Sequence, residues 1–246
     1  MQFEVVSQYL LRAFHMKAVK PASLMKAAGE FSERVSEVEW SPANQLEVEP
    51  TGNASKLIAL TDPTGEWVVK IGTRSVDALY QQVFEVIGSE LKLLEAPPFE
   101  DFLARASRYV KEALAVLPVE LTRLATVRTG LIYTGIDFEA ARSALCTSPS
   151  TLPEPFEWDW RCAWKVPRKF GDFEEATNTI AIVRRVNATL GLEARDALLV
   201  TTDVNTAPEN TTRFDGRAVD DFARSCPQWH ADLDSILETR ISGERK

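Results

Sequence analysis

The segment from residue 156 to residue 166 alternates two kinds of side chain without a break. Phe156, Trp158, Trp160, Cys162, Trp164 and Val166 occupy one set of positions, and Glu157, Asp159, Arg161, Ala163 and Lys165 occupy the other. Successive side chains of a β-strand point to opposite faces, so the spacing predicts a strand over 155–166 with one buried and one wet face. Strands of this kind are typical of antiparallel sheets. The chain is therefore expected to build such a sheet and to cover its apolar face.

Two long amphipathic helices are predicted, and each ends one half of the chain. Over 99–117 the apolar residues recur at helical spacing, and prolines lie on both sides of the segment. A second helix is predicted over 216–241. Pro227 lies inside its pattern and predicts a kink or a restart there.

The predicted elements follow the same order in both halves. Residues 1–118 contain a strand at 2–14, a helix at 22–36, strands at 37–41, 45–49, 56–61 and 66–72, an extended or helical piece at 76–94, and the long helix. Residues 119–246 contain a strand at 122–134, a helix at 137–145, strands at 155–166, 177–187 and 197–205, and the second long helix. The sequence thus predicts an α+β fold of internally duplicated units, with the helices packed on one face of the sheet. Because no Gly/Ser-rich linker separates the halves, they are expected to form one compact unit.

Charge and composition exclude several classes of protein. The 28 Lys and Arg residues face 36 Asp and Glu residues, which gives a net charge of −8 and no basic footprint for general nucleic-acid binding. The three cysteines lack metal-ligand spacing, and two histidines, His15 and His230, are too few for the usual multi-His sites. We therefore expect neither a cofactor nor a metal.

The start of the chain lacks the features of a secretory signal peptide. No stretch approaches the ~18 consecutive apolar residues of a membrane span. The sequence is consequently interpreted as that of a cytoplasmic protein, with no membrane partner.

Three short motifs resemble a sporadically distributed, uncharacterised bacterial family of similar length. The family carries a central strand of the form R-x-G-L-R-Y-I-N, matched by Arg128, Gly130, Leu131 and Tyr133, with Ile132 in place of the second Arg and Thr134-Gly135 in place of Ile-Asn. A later strand ends in an L-D-I-D-like pattern, and a C-terminal helix carries L-x-x-L-H; Val200, Asp203, Val204, Trp229, His230 and Leu233 match these loosely. The resemblance implies a duplicated α+β fold. It implies no chemistry, so no catalytic residue is assigned.

Two groups of residues are candidates for binding. Trp158, Trp160 and Trp164 are expected on one sheet face, either buried under the helices at 99–117 and 216–241 or lining an apolar groove or interface. The other group is the only local positive patch, which is suited either to an acidic partner or to a solvated rim: Lys165, Arg168, Lys169, Arg184 and Arg185.

No phosphate-binding loop and no GxSxG nucleophile elbow occurs in the sequence. The leading hypothesis is a non-enzymatic bacterial protein-interaction module of an immunity, toxin–antitoxin or phage-defence system. One alternative is a chaperone-like or hydrophobic-ligand-binding protein that uses the tryptophans. A second alternative is a metal-dependent nuclease, for which Asp62, Glu66 and Lys70 are the candidate residues.

Overall fold

The computed structural model describes residues 1–48, 54–87, 90–117, 119–146, 157–190 and 193–241. These residues form an α+β structure with a nine-stranded antiparallel sheet, a two-stranded ribbon and four helices. The strands are β1 (Val5–His15), β2 (Ser41–Val48), β3 (Ala54–Thr61), β4 (Trp67–Gly72), β5 (Ser75–Tyr80), β6 (Phe84–Ile87), β7 (Glu90–Leu93), β8 (Leu121–Ile132), β9 (Asp159–Phe170), β10 (Phe173–Leu190) and β11 (Glu193–Thr206). The helices are α1 (Pro21–Arg34), α2 (Phe99–Val116), α3 (Phe138–Leu145) and α4 (Gly216–Ile241).

One sheet runs through both halves of the chain, in the order β2-β3-β4-β5-β1-β8-β11-β10-β9. The first strand of each half lies at the centre, where β1 pairs with β8 and Tyr9 stands opposite Arg128. In each half the last sheet strand returns to lie beside the first, β5 beside β1 and β11 beside β8. The strands β2 and β9 form the two edges.

Several predicted boundaries differ from those of the structure. The predicted strand at 37–41 is wrong, because the chain turns at residues 35–37 after α1 and only Ser41 of that range lies in a strand. The predicted strand at 45–49 is part of β2, which begins earlier, at Ser41; residue 49 lies outside the described part. The undecided piece at 76–94 contains the strands β5, β6 and β7. Strand β9 continues past Pro167 to Phe170, which an edge strand tolerates because a missing N–H can face away from its neighbour.

The helices cover the sheet in an order that follows the strands. Helix α1 contacts β3 and β4, α2 contacts β1 and β5, and α4 contacts β8, β9 and β11, while α3 packs against α4. The predicted apolar face of α2 is confirmed, since Phe102, Ala106 and Val110 are fully buried. Phe102 stacks on Trp67 of β4, with 5.5 Å between the ring centroids. Among the described helices, none is long and apolar enough to cross a membrane.

Helix α4 is continuous through Pro227, so of the two predicted outcomes, a kink or a restart, the restart is wrong. One turn later its His230 is fully buried and bonded on both ring nitrogens. The Nε2 atom lies 3.0 Å from the Thr126 hydroxyl of β8, and the Nδ1 atom lies 2.8 Å from the Thr202 hydroxyl of β11. Burial lowers the pKa of His230 well below 6.5, and the positive charges of Arg128 and Arg168 lower it further. A neutral histidine therefore ties α4 to two strands.

Contacts at the centre of β8 explain why the R-x-G pattern has an arginine at position 128 and a glycine at position 130. Arg128 forms an ion pair with Asp234 of α4, with 3.0 Å between Nη1 and Oδ2. Gly130 lies directly under the ring of Phe3, so a β-carbon at position 130 would come within 2.3 Å of that ring. The glycine is required by close approach of the N-terminal segment to the sheet.

The sheet curves strongly between β2 and β1. Arg12 of β1 bonds Asp77 of the neighbouring β5 and also reaches Glu47 of β2, with 3.1 Å between Nη2 and Oε1. Strands lie about 4.8 Å apart, so four spacings in a flat sheet would separate β1 from β2 by about 19 Å. The two side chains can meet only because this side of the sheet is concave.

We expect Gly130→Ala to destabilise the protein, because the added methyl group overlaps the Phe3 ring. In a Phe3→Ala background the same change should cost much less, so that the two effects on the free energy of unfolding are not additive. The measurement is urea denaturation of the four proteins of this cycle. Gly29→Ala is the control, since nothing lies within 4 Å of the position of its new β-carbon. Additive effects at Gly130 and Phe3 would contradict the packing described here.

The buried His230 predicts a specific acid sensitivity. The unfolded chain takes up a proton near pH 6.5, whereas the folded chain resists it, so the stability that neutral His230 supplies is full above that pH and falls below it. Relative to His230→Gln, the wild type should lose about 1.4 kcal/mol between pH 7.5 and pH 5.5. Urea denaturation of both proteins at the two pH values measures this difference, and carboxylates common to both cancel. Parallel pH profiles would contradict the prediction.

Candidate functional site

The candidate tryptophans lie on β9, an edge strand whose only described pairing is with β10. Trp158 stands just before the strand and is buried, with 8% of its surface exposed. Trp160 and Trp164 are only partly buried. Their even spacing places them on the same side of the sheet, as the alternation predicted. The three side chains were expected to be mostly buried, with an apolar groove or interface as the alternative; Trp158 is buried, while Trp160 and Trp164 keep part of their surface exposed.

Trp160 and Trp164 form a continuous aromatic surface along the edge of the sheet. Their ring centroids are 6.4 Å apart. The Arg240 guanidinium of α4 lies 5.7 Å from the Trp160 ring, within range of a cation–π contact. One helical turn earlier, Ile236 is 42% exposed. We call Trp160, Trp164 and Arg240 the aromatic edge. Arg240 was not predicted as part of it, because its place over Trp160 depends on tertiary packing.

The predicted basic patch is divided between the two sides of the sheet. Arg168 shares the parity of Trp160 and Trp164, while Lys165 and Lys169 point to the opposite side. Arg184 stands opposite Asp159 in the ladder and hence on the side of Lys165, whereas Arg185 takes the other side. A single patch of five residues does not exist, since period-two geometry separates neighbours in the sequence.

Most of these cations also form ion pairs with neighbouring carboxylates. Lys165 bonds Glu209, Arg184 approaches Asp159, and Arg185 pairs with Asp196. Arg168 lies over the Trp229 ring, 4.9 Å from its centroid, and burial lowers the pKa of this arginine. Lys169 is exposed and has no ion pair within the described residues.

Two other cations on these elements lack a carboxylate partner. They are Arg161 of β9 and Arg240 of α4, for which no ion pair with a described residue exists. Together with Lys169 they give the β9 edge a local positive charge, although the whole chain carries −8. The edge can therefore attract negative charge that the rest of the surface repels.

The residues considered for a metal-dependent nuclease have structural partners. The Asp62 carboxylate accepts hydrogen bonds from the Trp67 amide at 3.1 Å and the Thr64 hydroxyl at 2.8 Å, and so closes the turn before β4. Glu66 accepts a hydrogen bond from the Tyr80 hydroxyl at 3.1 Å. Lys70 stands opposite Asp77 of β5. In the described part of the chain no group of three or more His, Cys, Asp or Glu residues is placed to hold a metal ion.

No protein family matches the chain, and no curated protein is significantly similar to it. The chemistry of the β9 edge therefore follows from its own residues and their contacts.

The partial burial of the aromatic edge predicts a graded loss of stability among the tryptophans. Trp229→Ala should cost ~3–5 kcal/mol, because Trp229 is 8% exposed and packs against Phe170 and Phe222. Trp160→Ala should cost less than half of that, since its ring keeps an open side. Urea denaturation of both variants measures the two losses. An equal loss would show that Trp160 belongs to the core and not to a surface.

Proposed function

We propose that this chain is a non-enzymatic protein-interaction module whose binding edge is β9. The observation that carries the proposal is an edge strand with two partly exposed tryptophans and Arg240 on one side of the sheet, and with Arg161 and Lys169 on the other; none of these three cations has an ion pair within the described residues. Tryptophan and arginine are enriched among the residues that dominate binding energy at protein interfaces. An outer strand also offers backbone N–H and C=O groups, to which an extended segment of a partner adds as a further strand.

The charges of the edge favour an acidic partner. Lys169, Arg161 and Arg240 form no ion pair with a described residue, although the charge of Arg161 opposes the rise that burial causes in the pKa of Asp203. A partner segment with Asp or Glu would pair with these cations, and the aromatic edge would receive its apolar side chains. The same cations repel other copies of the basic edge, which protects it against self-association.

The opposite edge, β2, lacks these features. Its residues from Ser41 to Leu46 are exposed, and no Lys or Arg occurs within the strand. Leu46, which is 66% exposed, is its one large exposed apolar side chain among the described residues. The strand provides a matched control, since it has a free edge without tryptophan and without positive charge.

The biological setting is part of the same proposal. The resemblance of the R-x-G-L-x-Y strand to a sporadically distributed bacterial family supports a cytoplasmic role in an immunity, toxin–antitoxin or phage-defence system. A protein is then the partner, with neither nucleic acid nor membrane involved. A partner toxin with an acidic extended segment would fit the charge of the edge.

We also propose that the two halves, 1–118 and 119–246, arose by internal duplication and act as one unit with all helices on one face. The matching return of β5 to β1 and of β11 to β8 supports the duplication. Tyr9 contacts α2 through Phe99, and its cross-strand partner Arg128 bonds α4, which supports a common face for these helices.

The proposal is tested by selecting binders from a random peptide library displayed on phage. We expect enriched peptides to be acidic and to alternate apolar residues, as an added strand would. The affinity of such a peptide should fall at least ~10-fold in Trp160→Ala/Trp164→Ala, because hot-spot residues are lost. Peptide affinity should also fall in the Arg161→Glu/Lys169→Glu variant, and the affinity of the wild type should decrease as the salt concentration rises.

The matched control is Asn44→Ala/Leu46→Ala on β2, which should leave peptide affinity unchanged. Peptides that bind the tryptophan variant as well as the wild type would refute β9 as the binding edge. Enrichment of apolar peptides without acidic residues, together with binding of a fluorescent apolar probe, would favour the hydrophobic-ligand alternative instead.

A further inference from the structure

The core of the protein lies on one side of the nine-stranded sheet, and the other side is open. Tyr9 and Leu11 of β1 belong to the hydrophobic core that the helices cover. Leu10 and Phe14 alternate with them and point to the opposite side, and neither belongs to that core. We call the side of the sheet on which Leu10 and Phe14 lie the open face.

An apolar row crosses the open face from strand to strand. Leu10 stands opposite Leu79 of β5 and Val127 of β8. Next along the row are Asp203 of β11, opposite Val127, and Ile180 of β10, opposite Asp203. All of these side chains except Leu10 are partly exposed, and the apolar ones lie outside the core. Five strands at ~4.8 Å spacing give the row a length of about 19 Å, and a continuous apolar surface of this kind indicates an interaction site.

The backbone of the open face is not available to a partner. Strands β5, β1, β8, β11 and β10 each have a paired neighbour on both sides, so their N–H and C=O groups are used within the sheet. An extended segment laid on this face would leave its own backbone groups without partners, which is costly where water is excluded. A helix satisfies its backbone groups internally. The open face therefore favours a helix over an extended segment.

The shape of the sheet favours the same occupant. The contact between Arg12 and Glu47 requires the open face to be concave between β1 and β2, and Leu79 of β5 lies within this curved part. Two concave faces touch at their rims and leave their centres apart, so the open face of a second copy is a poor cover for the row. A helix is a convex cylinder, about 10–12 Å across with its side chains, and it suits a hollow surface.

Positive charge beside the row favours an acidic helix. Arg123 of β8 donates hydrogen bonds to the Thr206 carbonyl at 3.1 Å and to Asn205 Oδ1 at 2.7 Å, and its guanidinium lies 5.0 Å from the Phe14 ring. These contacts hold the side chain in place, but it forms no ion pair with a described residue. Lys70 of β4, which is partly buried on the same face, also has no ion pair among the described residues. Two cations without ion pairs, in a chain of net charge −8, suit carboxylates of a partner.

Asp203 is the one charged residue of the row. It accepts a hydrogen bond from Asn205 Nδ2 at 2.8 Å. Burial raises the pKa of this carboxyl, and the hydrogen bond and nearby arginines counteract the rise. A helix that covers the row removes Asp203 from water, and the carboxylates of an acidic helix repel it. Asp203 thus opposes the binding that its apolar neighbours favour.

We propose that the open face binds an amphipathic α-helix of a partner protein, whose apolar side chains cover the row and whose Asp or Glu residues pair with Arg123 and Lys70. This surface shares no residue with the aromatic edge. It is a second contact of the chain, and it does not depend on strand addition at β9.

The test is selection of binders from a three-helix scaffold library in which the outward positions of one helix are randomised. The full chain is the target. We expect enriched helices to carry apolar residues at i, i+3, i+4 and i+7 spacing with Asp or Glu beside them. Enrichment of basic or uncharged helices would overturn the proposal.

Four variants locate the binding of the selected helix, and urea denaturation confirms that each is folded. Val127→Thr/Ile180→Thr keeps β-branched residues in the strands and should weaken binding at least ~10-fold, because apolar contacts are lost. Arg123→Gln should weaken it several-fold. Asp203→Asn should strengthen it, which a residue with a merely structural role would not do. Trp160→Ala/Trp164→Ala should leave it unchanged, so that failure here is distinct from failure of the peptide selection at β9.

The matched controls lie on α4, on the covered side of the sheet. Ile236→Thr and Arg224→Gln change an exposed apolar and an exposed basic residue and should leave the affinity for the selected helix unchanged. Equal effects of these controls and of the open-face variants would refute the site. Sedimentation equilibrium tests the other occupant. A dimer of the wild type that Val127→Thr/Ile180→Thr dissociates would assign the open face to a second copy and overturn the proposal.

Discussion

The antiparallel pairing of β1 with β8 is the interaction on which the rest of the molecule depends. Without it, each half would be a smaller sheet whose first strand is an open edge, and a free edge of that length invites aggregation. The pairing runs from Val5 to His15, and it places Tyr9 beside Arg128. Since α2 rests on Tyr9 and α4 is bonded to Arg128, the register of this one ladder also sets where the long helices meet.

Buried polar groups then determine the position of α4 more narrowly than apolar packing could. A leucine surface permits small rotations of a helix, whereas His230 loses a hydrogen bond if either threonine hydroxyl moves away. The ion pair between Arg128 and Asp234 adds a second directional contact one turn further along. Such pairs seldom add stability beyond that of apolar replacements, so their effect here is interpreted as orientation. This orientation brings Arg240 to Trp160 on the outer strand.

The periodic patterns of the sequence predict its helices and strands, but they do not predict which residues far apart in the chain come into contact. The apolar stripe of α2 and the alternation of β9 depend on neighbours in the chain, and both were recognised. His15 is only 5% exposed because it ends a central strand, and its neighbours in the sequence do not indicate that burial. The five cations seemed one patch because they are close in sequence, but strand geometry separates Arg168 from Lys169. Nothing in the sequence marked Asp234 as the partner of Arg128, 106 residues earlier.

The two edge strands of the sheet, β2 and β9, differ in shape and in side chains. Strand β2 curves inward, and Glu47 is held by Arg12 on the concave side. Strand β9 instead carries charged residues and large aromatic residues along its length. Pro167 has no backbone N–H, so the strand has one hydrogen-bond donor fewer. Lysine and proline on an edge strand normally prevent another strand from adding to it. Protection of this kind does not need half-exposed tryptophans, which leave apolar surface in contact with water. The combination supports the proposal that this edge excludes most segments and admits one of matching charge.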